Sequence, residues 1–373
     1  MLMFALLILT AQSPVPERIA ALPVVEEMPN PFRFEDGRPV KGVADWPARR
    51  AELLELVLRY EYGHVPPAPG NVRAEDTTEH EDHRAVRLRM GPGAGFTVRT
   101  LVYVPEIGKA PYPVVIRFGL DKRRAKQITD RGYAYVCFEH RELDPDTEGY
   151  DVPGPAQVAY PDYDFGALGA WAWGASRVMD YLVTLPEIDV DSSVITGHSR
   201  TGKAALLAGA LDGRFSMVVP NGSGCGGAAA FSGASDGVET LKLITMESRF
   251  KSWLHADFGD FGDHVDRLPF DQHFMRALVA PRLVLSTDGL GDTWANPLGT
   301  QKAWLAAQPV FDFADASDRN LCHFREGGHD QLPEDMDVLL DVADSYFLGK
   351  PMHHDFDLLP DPDMKPDWAW EKP

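Results

Sequence analysis

Val194-Ile195-Thr196-Gly197-His198-Ser199-Arg200-Thr201-Gly202-Lys203, continuing as Ala204-Ala205-Leu206-Leu207-Ala208-Gly209-Ala210, is the stretch whose reading decides the fold. An apolar, β-branched run ends at a small residue, a serine follows at once, and the Ala- and Leu-rich segment after it reads as a helix. Strand, sharp turn and helix together lift a serine hydroxyl above a parallel sheet, where a substrate carbonyl can reach it. Glycines let such a turn close without a side-chain clash. The helix aims its first backbone N–H groups at the site, so negative charge developing there is stabilised. Gly202 stands three residues after the serine, whereas the usual G-x-S-x-G pattern has its second glycine after two. A Gly-x-Ser alone is weak evidence, because a serine in such a turn is often only a hydrogen-bonded turn residue.

The chain has 373 residues, enough for one large α/β domain with a sizeable core or at most two domains. Its 36 basic residues against 56 acidic ones leave a net charge of −20, which argues against nucleic acid and anionic lipid as partners. No internal run is long enough for a membrane span. Cys137, Cys225 and Cys322 cannot build a disulfide framework, although one bridge among them is open. A monomer is expected.

Residues 1–11, Met1-Leu2-Met3-Phe4-Ala5-Leu6-Leu7-Ile8-Leu9-Thr10-Ala11, look like the apolar core of a secretion signal ending in a small residue, without the usual positive start. A buried N-terminal strand or helix is the competing reading. Gln12-Ser13-Pro14-Val15-Pro16 follows as a polar, proline-broken linker, so a signal peptide and a secreted or periplasmic protein are expected. Residues 12–40 then form a linker or N-terminal extension, residues 41–350 a single catalytic domain, and residues 351–373 a C-terminal tail.

Within the domain, Asp45-Trp46-Pro47 is expected to cap a helix running to about Tyr62, with Leu53, Leu56, Val57 and Tyr60 on one stripe. Arg84 to Arg89 and Phe96 to Val104 alternate polar and apolar residues, which predicts an antiparallel pair. Val114 to Gly119 and Tyr133 to Phe138 are dense apolar runs, as in central strands covered on both faces. Lys122 to Arg131 reads as a short basic helix between them. Residues 139–163 are polar, acidic and rich in Pro and Gly, a surface excursion of the kind that rims active sites of open α/β sheets. Phe165 to Thr184 gives a long helix whose tryptophans read as core. Phe215 to Pro220 and Arg282 to Thr287 are further strands. The glycine-rich loop Asn221 to Gly227 lacks the lysine and serine or threonine of a phosphate cradle, so it reads as backbone passing close to the site. His80, Glu81, Asp82 and His83 carry metal-ligating atoms but sit in a charged run that reads as a solvated face.

Asp288-Gly289-Leu290-Gly291-Asp292-Thr293-Trp294 follows the late strand, and Gly327-Gly328-His329 comes in the last loop before a C-terminal helix. Serine, then an acid after a late strand, then histidine is the order of α/β-hydrolases, a three-layer α/β/α sandwich with a mostly parallel sheet. A histidine must take the serine proton, and a carboxylate must hold its tautomer and stabilise the imidazolium. Ser199, Asp292 and His329 are the candidates, with Asp288 as reserve acid.

At this point the chain resembles a family. Gly197-His198-Ser199-Arg200-Thr201-Gly202-Lys203, Ser223-Gly224-Cys225-Gly226-Gly227-Ala228-Ala229, Leu268-Pro269-Phe270-Asp271-Gln272-His273, Ala280-Pro281-Arg282 and Gly327-Gly328-His329 are similar to the glucuronoyl esterases, carbohydrate esterase family fifteen. Leu143-Asp144-Pro145-Asp146 and Ala170-Trp171-Ala172-Trp173-Gly174-Ala175-Ser176-Arg177 resemble its bacterial members. The resemblance implies an α/β-hydrolase that needs no metal or cofactor. It implies cleavage of esters between the 4-O-methyl-glucuronic acid of xylan and lignin alcohols, so the partner is a glucuronoxylan or lignin–carbohydrate ester. It assigns Ser199 as nucleophile and His329 as base. Arg200 supplies a backbone N–H and a guanidinium to the oxyanion, Lys203 holds sugar hydroxyls, and Trp294 lines the sugar pocket. The family's usual acid is a glutamate just before the Ser-Gly-x-Gly-Gly loop, and this chain has Gly222 there, which turns attention to Asp292. Glu239 and Glu247 fall where relatives place sugar-contacting residues. An acetyl xylan esterase or small-ester carboxylesterase, and a catalytically lapsed carbohydrate-binding homologue, are the alternatives.

Overall fold

The computed structural model describes residues 14–147, 152–246, 250–370 and 373, so the expected signal segment 1–11 lies outside the described residues. β1 (Arg73–Glu79), β2 (Arg84–Met90), β3 (Phe96–Tyr103), β4 (Tyr112–Phe118), β5 (Ala134–Phe138), β6 (Ile188–His198), β7 (Met217–Asn221), β8 (Leu283–Gly289) and β9 (Asn320–Arg325) form one sheet. The spatial order is β1-β2-β3-β5-β4-β6-β7-β8-β9. β1, β2, β3 and β5 pair antiparallel in succession, and from β5 to β9 every pairing is parallel.

The density of apolar residues in the central strands has the cause expected of it. Side chains alternate faces along a strand, and both faces here are covered. Val114, Ile116 and Phe118 enter a core shared with the helices Trp46–Val57, Ala167–Leu182, Arg200–Leu211 and His273–Val279. Val115 enters a second core with Tyr135, Cys137, Val194, Met217 and Leu285, closed by the helix Pro333–Leu348. Trp171 and Trp173 are core residues, 0% and 3% exposed.

One buried cation locks the strands that carry the later site loops. Arg276 donates from Nε to Asn320 Oδ1, from Nη1 to Ser286 Oγ and from Nη2 to the Leu321 carbonyl, at 2.8, 2.6 and 2.9 Å. It ties β8 to β9, and each of its three guanidinium nitrogens has a partner where an unpaired buried charge would be costly.

Several local expectations are corrected. Asp45 does not cap the helix with its side chain; it accepts instead from the Lys41 N–H at 2.9 Å, because a 3₁₀ turn, Val43–Asp45, precedes the helix. β1 is not predicted by pattern: Arg-Ala-Glu-Asp-Thr-Thr-Glu has no apolar alternation and every residue is exposed. Its charges suit a sheet edge, which must resist pairing with other chains. All three cysteines are buried and free, so the open bridge does not form. The segments at the two ends pack on the domain and on each other. Phe32 is buried against Trp46 and Phe313, and Trp370 donates from Nε1 to the Met28 carbonyl at 3.0 Å while stacking on His273.

Candidate active site

Ser199 sits between β6 and the helix Arg200–Leu211 with φ 55° and ψ −124°, a strained conformation for a non-glycine residue. The spacing Gly197-x-Ser199-x-x-Gly202 follows from close packing at this turn. A Cβ on Gly197 would meet the Thr201 carbonyl at 2.2 Å, and one on Gly202 would meet the Asn221 and Gly197 carbonyls at 2.9 and 3.0 Å. Thr201, where the usual pattern has glycine, braces the turn: its Oγ1 accepts from the His198 N–H at 2.9 Å and donates to the His198 carbonyl at 2.8 Å. Arg200 is the first residue of the helix, so its backbone N–H has no acceptor within the helix and lies next to Ser199.

The structure brings Ser199, His329 and Asp292 into one chain of hydrogen bonds. His329 Nε2 is 2.9 Å from Ser199 Oγ, and His329 Nδ1 is 2.6 Å from Asp292 Oδ2. The loops after β8 and β9 are tied to each other by Leu290 N–H to Arg325 O and Gly291 N–H to Gly327 O, both 2.8 Å. The other Asp292 oxygen accepts from the Ala295 N–H at 3.2 Å. Asp292 is nearly buried, its side chain 3% exposed, whereas that of His329 is 39% exposed. The bond to Asp292 raises the His329 pKa above 6.5, against the opposing effect of partial burial.

Asp288, the reserve acid, is not the partner of His329. It is fully buried, and burial together with the neighbouring Asp292 charge pushes its carboxyl up to about 7. Gly222, with φ 50°, lies beside the pair: a Cβ there would stand 3.5 Å from His329 Nδ1 and 3.6 Å from Asp292 Oδ2. The position where the family resemblance puts a glutamate thus faces the same ring nitrogen that Asp292 occupies.

Pattern reading missed a second histidine at the site. The ring of His198 lies 4.7 Å from that of His329, and its Nδ1 donates to Asn221 Oδ1 at 2.6 Å. The Asn221 amide is oriented by donating to the Thr287 carbonyl and hydroxyl, so its oxygen must face His198. Burial lowers the His198 pKa, which disfavours a second positive charge beside His329.

The expected substrate-contacting residues divide. The Lys203 side chain is 2% exposed, and its ammonium meets the Ser223 carbonyl, the Cys225 carbonyl and Glu239 Oε2 at 2.7, 2.5 and 2.7 Å. An ammonium has three donors, and Lys203 uses them to hold the glycine-rich loop and Glu239. Glu239 is joined to the half-buried Trp294 by a backbone bond, Glu239 N–H to Trp294 O, of 2.8 Å. Its charge is close enough to help raise the His329 pKa. Glu247 lies outside the described residues. The Arg200 guanidinium is bound by Asp146 at 2.6 Å and lies over the Trp253 ring.

Beneath the glycine-rich loop is a second buried acid that sequence reading missed. Glu61 is 0% exposed, and its two carboxylate oxygens accept from Gln272 Nε2 at 2.8 and 2.9 Å. Burial pushes its carboxyl up to about 8.

Residues 92–314 match a protein-family profile described as glucuronyl esterase, fungi. A 4-O-methyl-glucuronoyl methylesterase of Phanerochaete carnosa is 29% identical, over 87% of this chain and 82% of its own. A carbohydrate esterase family 15 glucuronoyl esterase from Caldicellulosiruptor kristjansonii is similar in structure, with a TM-score of 0.82 and 32% identity over 95% of this chain and 99% of its own. The catalytic domain of a glucuronoyl esterase from Hypocrea jecorina superimposes with a TM-score of 0.77 at 25% identity, over 94% and 98% of the two chains.

Proposed function

Because the chain belongs to the glucuronoyl esterase family, we propose that it hydrolyses esters of the 4-O-methyl-glucuronic acid carboxyl, of the kind that join glucuronoxylan to lignin alcohols, through an acyl-enzyme on Ser199. The observation that carries the reading is the hydrogen-bonded line from Ser199 through His329 to Asp292. A lapsed binding protein would have no need of it.

In the first half-reaction the Ser199 oxygen attacks the ester carbonyl while its proton passes to His329 Nε2. The imidazolium is stabilised by Asp292, which also fixes the reactive tautomer. The carbonyl oxygen becomes an oxyanion beside the first backbone N–H of the helix, that of Arg200, with the guanidinium as a second donor. Collapse expels the alcohol, which leaves with the proton held on Nε2, and the glucuronoyl group remains on Ser199. Water then repeats the sequence with His329 as base and returns the serine. Trp294 forms a wall for the sugar, and Glu239, held by Lys203, presents a carboxylate to its hydroxyls. An exported enzyme meets such a polymer directly, in keeping with the apolar segment 1–11.

Side-by-side hydrolysis of benzyl glucuronate and a 4-nitrophenyl acetyl ester tests the assignment. The uronate ester should be the better substrate by kcat/KM. Rapid acetyl hydrolysis with no turnover of the uronate ester would transfer the protein to the acetyl esterases.

A further inference from the structure

Asp146 belongs to the acidic excursion after β5 and has φ 61°, in the left-handed region that few non-glycine residues adopt. Its neighbour Asp144 holds it there. Asp144 Oδ1 accepts the Asp146 N–H at 3.0 Å, Oδ2 accepts Gln157 Nε2 at 2.6 Å, and the Asp144 carbonyl accepts Trp171 Nε1 at 3.1 Å. The loop is thereby fastened to the buried helix Ala167–Leu182.

The carboxylate so placed is 5% exposed and uses both oxygens. Oδ2 accepts from Arg200 Nη1 at 2.6 Å, and Oδ1 accepts from Trp253 Nε1 at 2.7 Å. The guanidinium carbon lies 4.8 Å from the centre of the Trp253 ring and 5.3 Å from that of Phe250. Those two rings are themselves stacked, 4.1 Å apart. Asp146 therefore grips Arg200 twice, directly by an ion pair and indirectly by orienting the ring under it.

Arginine carries considerable rotamer freedom, and a guanidinium stabilises a developing charge best when it is already in place. A nearly buried carboxylate is also a firmer anchor than a surface one: Asp146 is 5% exposed and has Arg141 as a second, longer partner at 3.6 Å, while the Arg200 side chain it holds is 35% exposed. Nε and Nη2 of Arg200 have no acceptor among the described residues, so the arm opposite Asp146 is available to a substrate oxygen. We propose that Asp146 is a positioning residue for catalysis: with Trp253 it presets the Arg200 guanidinium beside Ser199 for the oxyanion. The proposal rests on the reading of Arg200 as an oxyanion donor.

The test is a double-mutant cycle with benzyl glucuronate, reading kcat and KM separately. Asp146→Asn should lower kcat about 10- to 100-fold, the scale of a misplaced catalytic group, with KM changed less than about threefold. In an Arg200→Ala background the same substitution should change kcat less than about twofold, because its effect passes through Arg200. If Asp146→Asn does not fold, Trp253→Phe removes only the indole donor to Asp146, keeps a ring under the guanidinium, and should still lower kcat by at least about threefold. Undiminished kcat in the foldable variant, or an equal loss with and without Arg200, overturns the proposal: Asp146 would then only fasten its loop. A full-rate Arg200→Ala enzyme would instead remove the oxyanion role itself and with it the basis for Asp146.

Discussion

Replacing Asp292 by Asn changes one atom type and should remove nearly all turnover. The direction follows from how the side chain is held. Asp292 Oδ1 accepts from the Ala295 N–H, and Oδ2 accepts from His329 Nδ1. In Asp292→Asn the amide oxygen keeps the Ala295 bond, because only an oxygen can accept there, and the amide nitrogen falls opposite His329. That nitrogen donates to Nδ1, so the imidazole proton moves to Nε2. A protonated Nε2 faces Ser199 Oγ at 2.9 Å and cannot take its proton. The expected loss is about 10⁴-fold in kcat, or about 5.5 kcal/mol of barrier, as in the equivalent protease substitution. The fold should be affected little, by about 1 kcal/mol or less, since shape and the Ala295 bond are preserved.

The assay is steady-state hydrolysis of benzyl glucuronate, with thermal unfolding as the control for folding. Gly222→Glu in the Asp292→Asn background gives a second reading. The added Cβ would stand 3.5 Å from His329 Nδ1, ordinary contact distance, so the new carboxylate can reach the ring. At φ 50° a side chain costs about 1–2 kcal/mol of strain, so partial recovery of rate should come with lower stability. An Asp292→Asn enzyme within tenfold of wild type would refute the reasoning and show that Ser199 and His329 act as a dyad.

Three further outcomes are expected. The acid limb of the kcat/KM profile should fall at a pH above 6.5, because Asp292 raises the His329 pKa and only neutral His329 is a base; a limb below 6.5 would contradict the contact. Glu61→Gln should leave stability near wild type at pH 5 and gain on it steadily towards pH 8. A carboxyl raised from 4.5 to about 8 stabilises the fold fully below pH 4.5 and loses that contribution as pH rises through 8, at up to about 1.4 kcal/mol per pH unit; denaturant unfolding with parallel pH profiles for the two proteins would remove Glu61 from the account. Mass spectrometry of the natural protein should find an N-terminus near Ala11-Gln12 outside the cytoplasm, and Met1 retained on a cytosolic protein would refute export.

Much of the fold was legible because its central strands are buried on both faces and carry dense apolar runs, Val114-Val115-Ile116 being one. β1 was not legible, since an exposed edge strand carries no apolar period. Ser199 and Asp292 stand out in sequence because each follows an apolar run that reads as a strand; His329 stands out by its order after them and by the helix that follows, since β9 carries no such run. The partners of Lys203 were not legible, for the opposite reason. Its residue type gives the charge but not the three buried acceptors, which come from residues 20 to 36 positions away. The grip of Asp146 on Arg200 spans 54 positions and that of Gln272 on Glu61 spans 211. Pairings of that range leave no periodicity along the chain, only an acidic loop and an unremarkable glutamate.

The most direct test is to catch the covalent intermediate. Rapid acid quench during turnover of a reactive glucuronate ester, followed by peptide mass spectrometry, should show the glucuronoyl group attached to the peptide containing Ser199. The adduct should be absent in Ser199→Ala, which should also lose about 10⁴-fold or more in kcat. An active Ser199→Ala enzyme, or a glucuronoyl adduct carried by some other residue, would contradict the account at its centre.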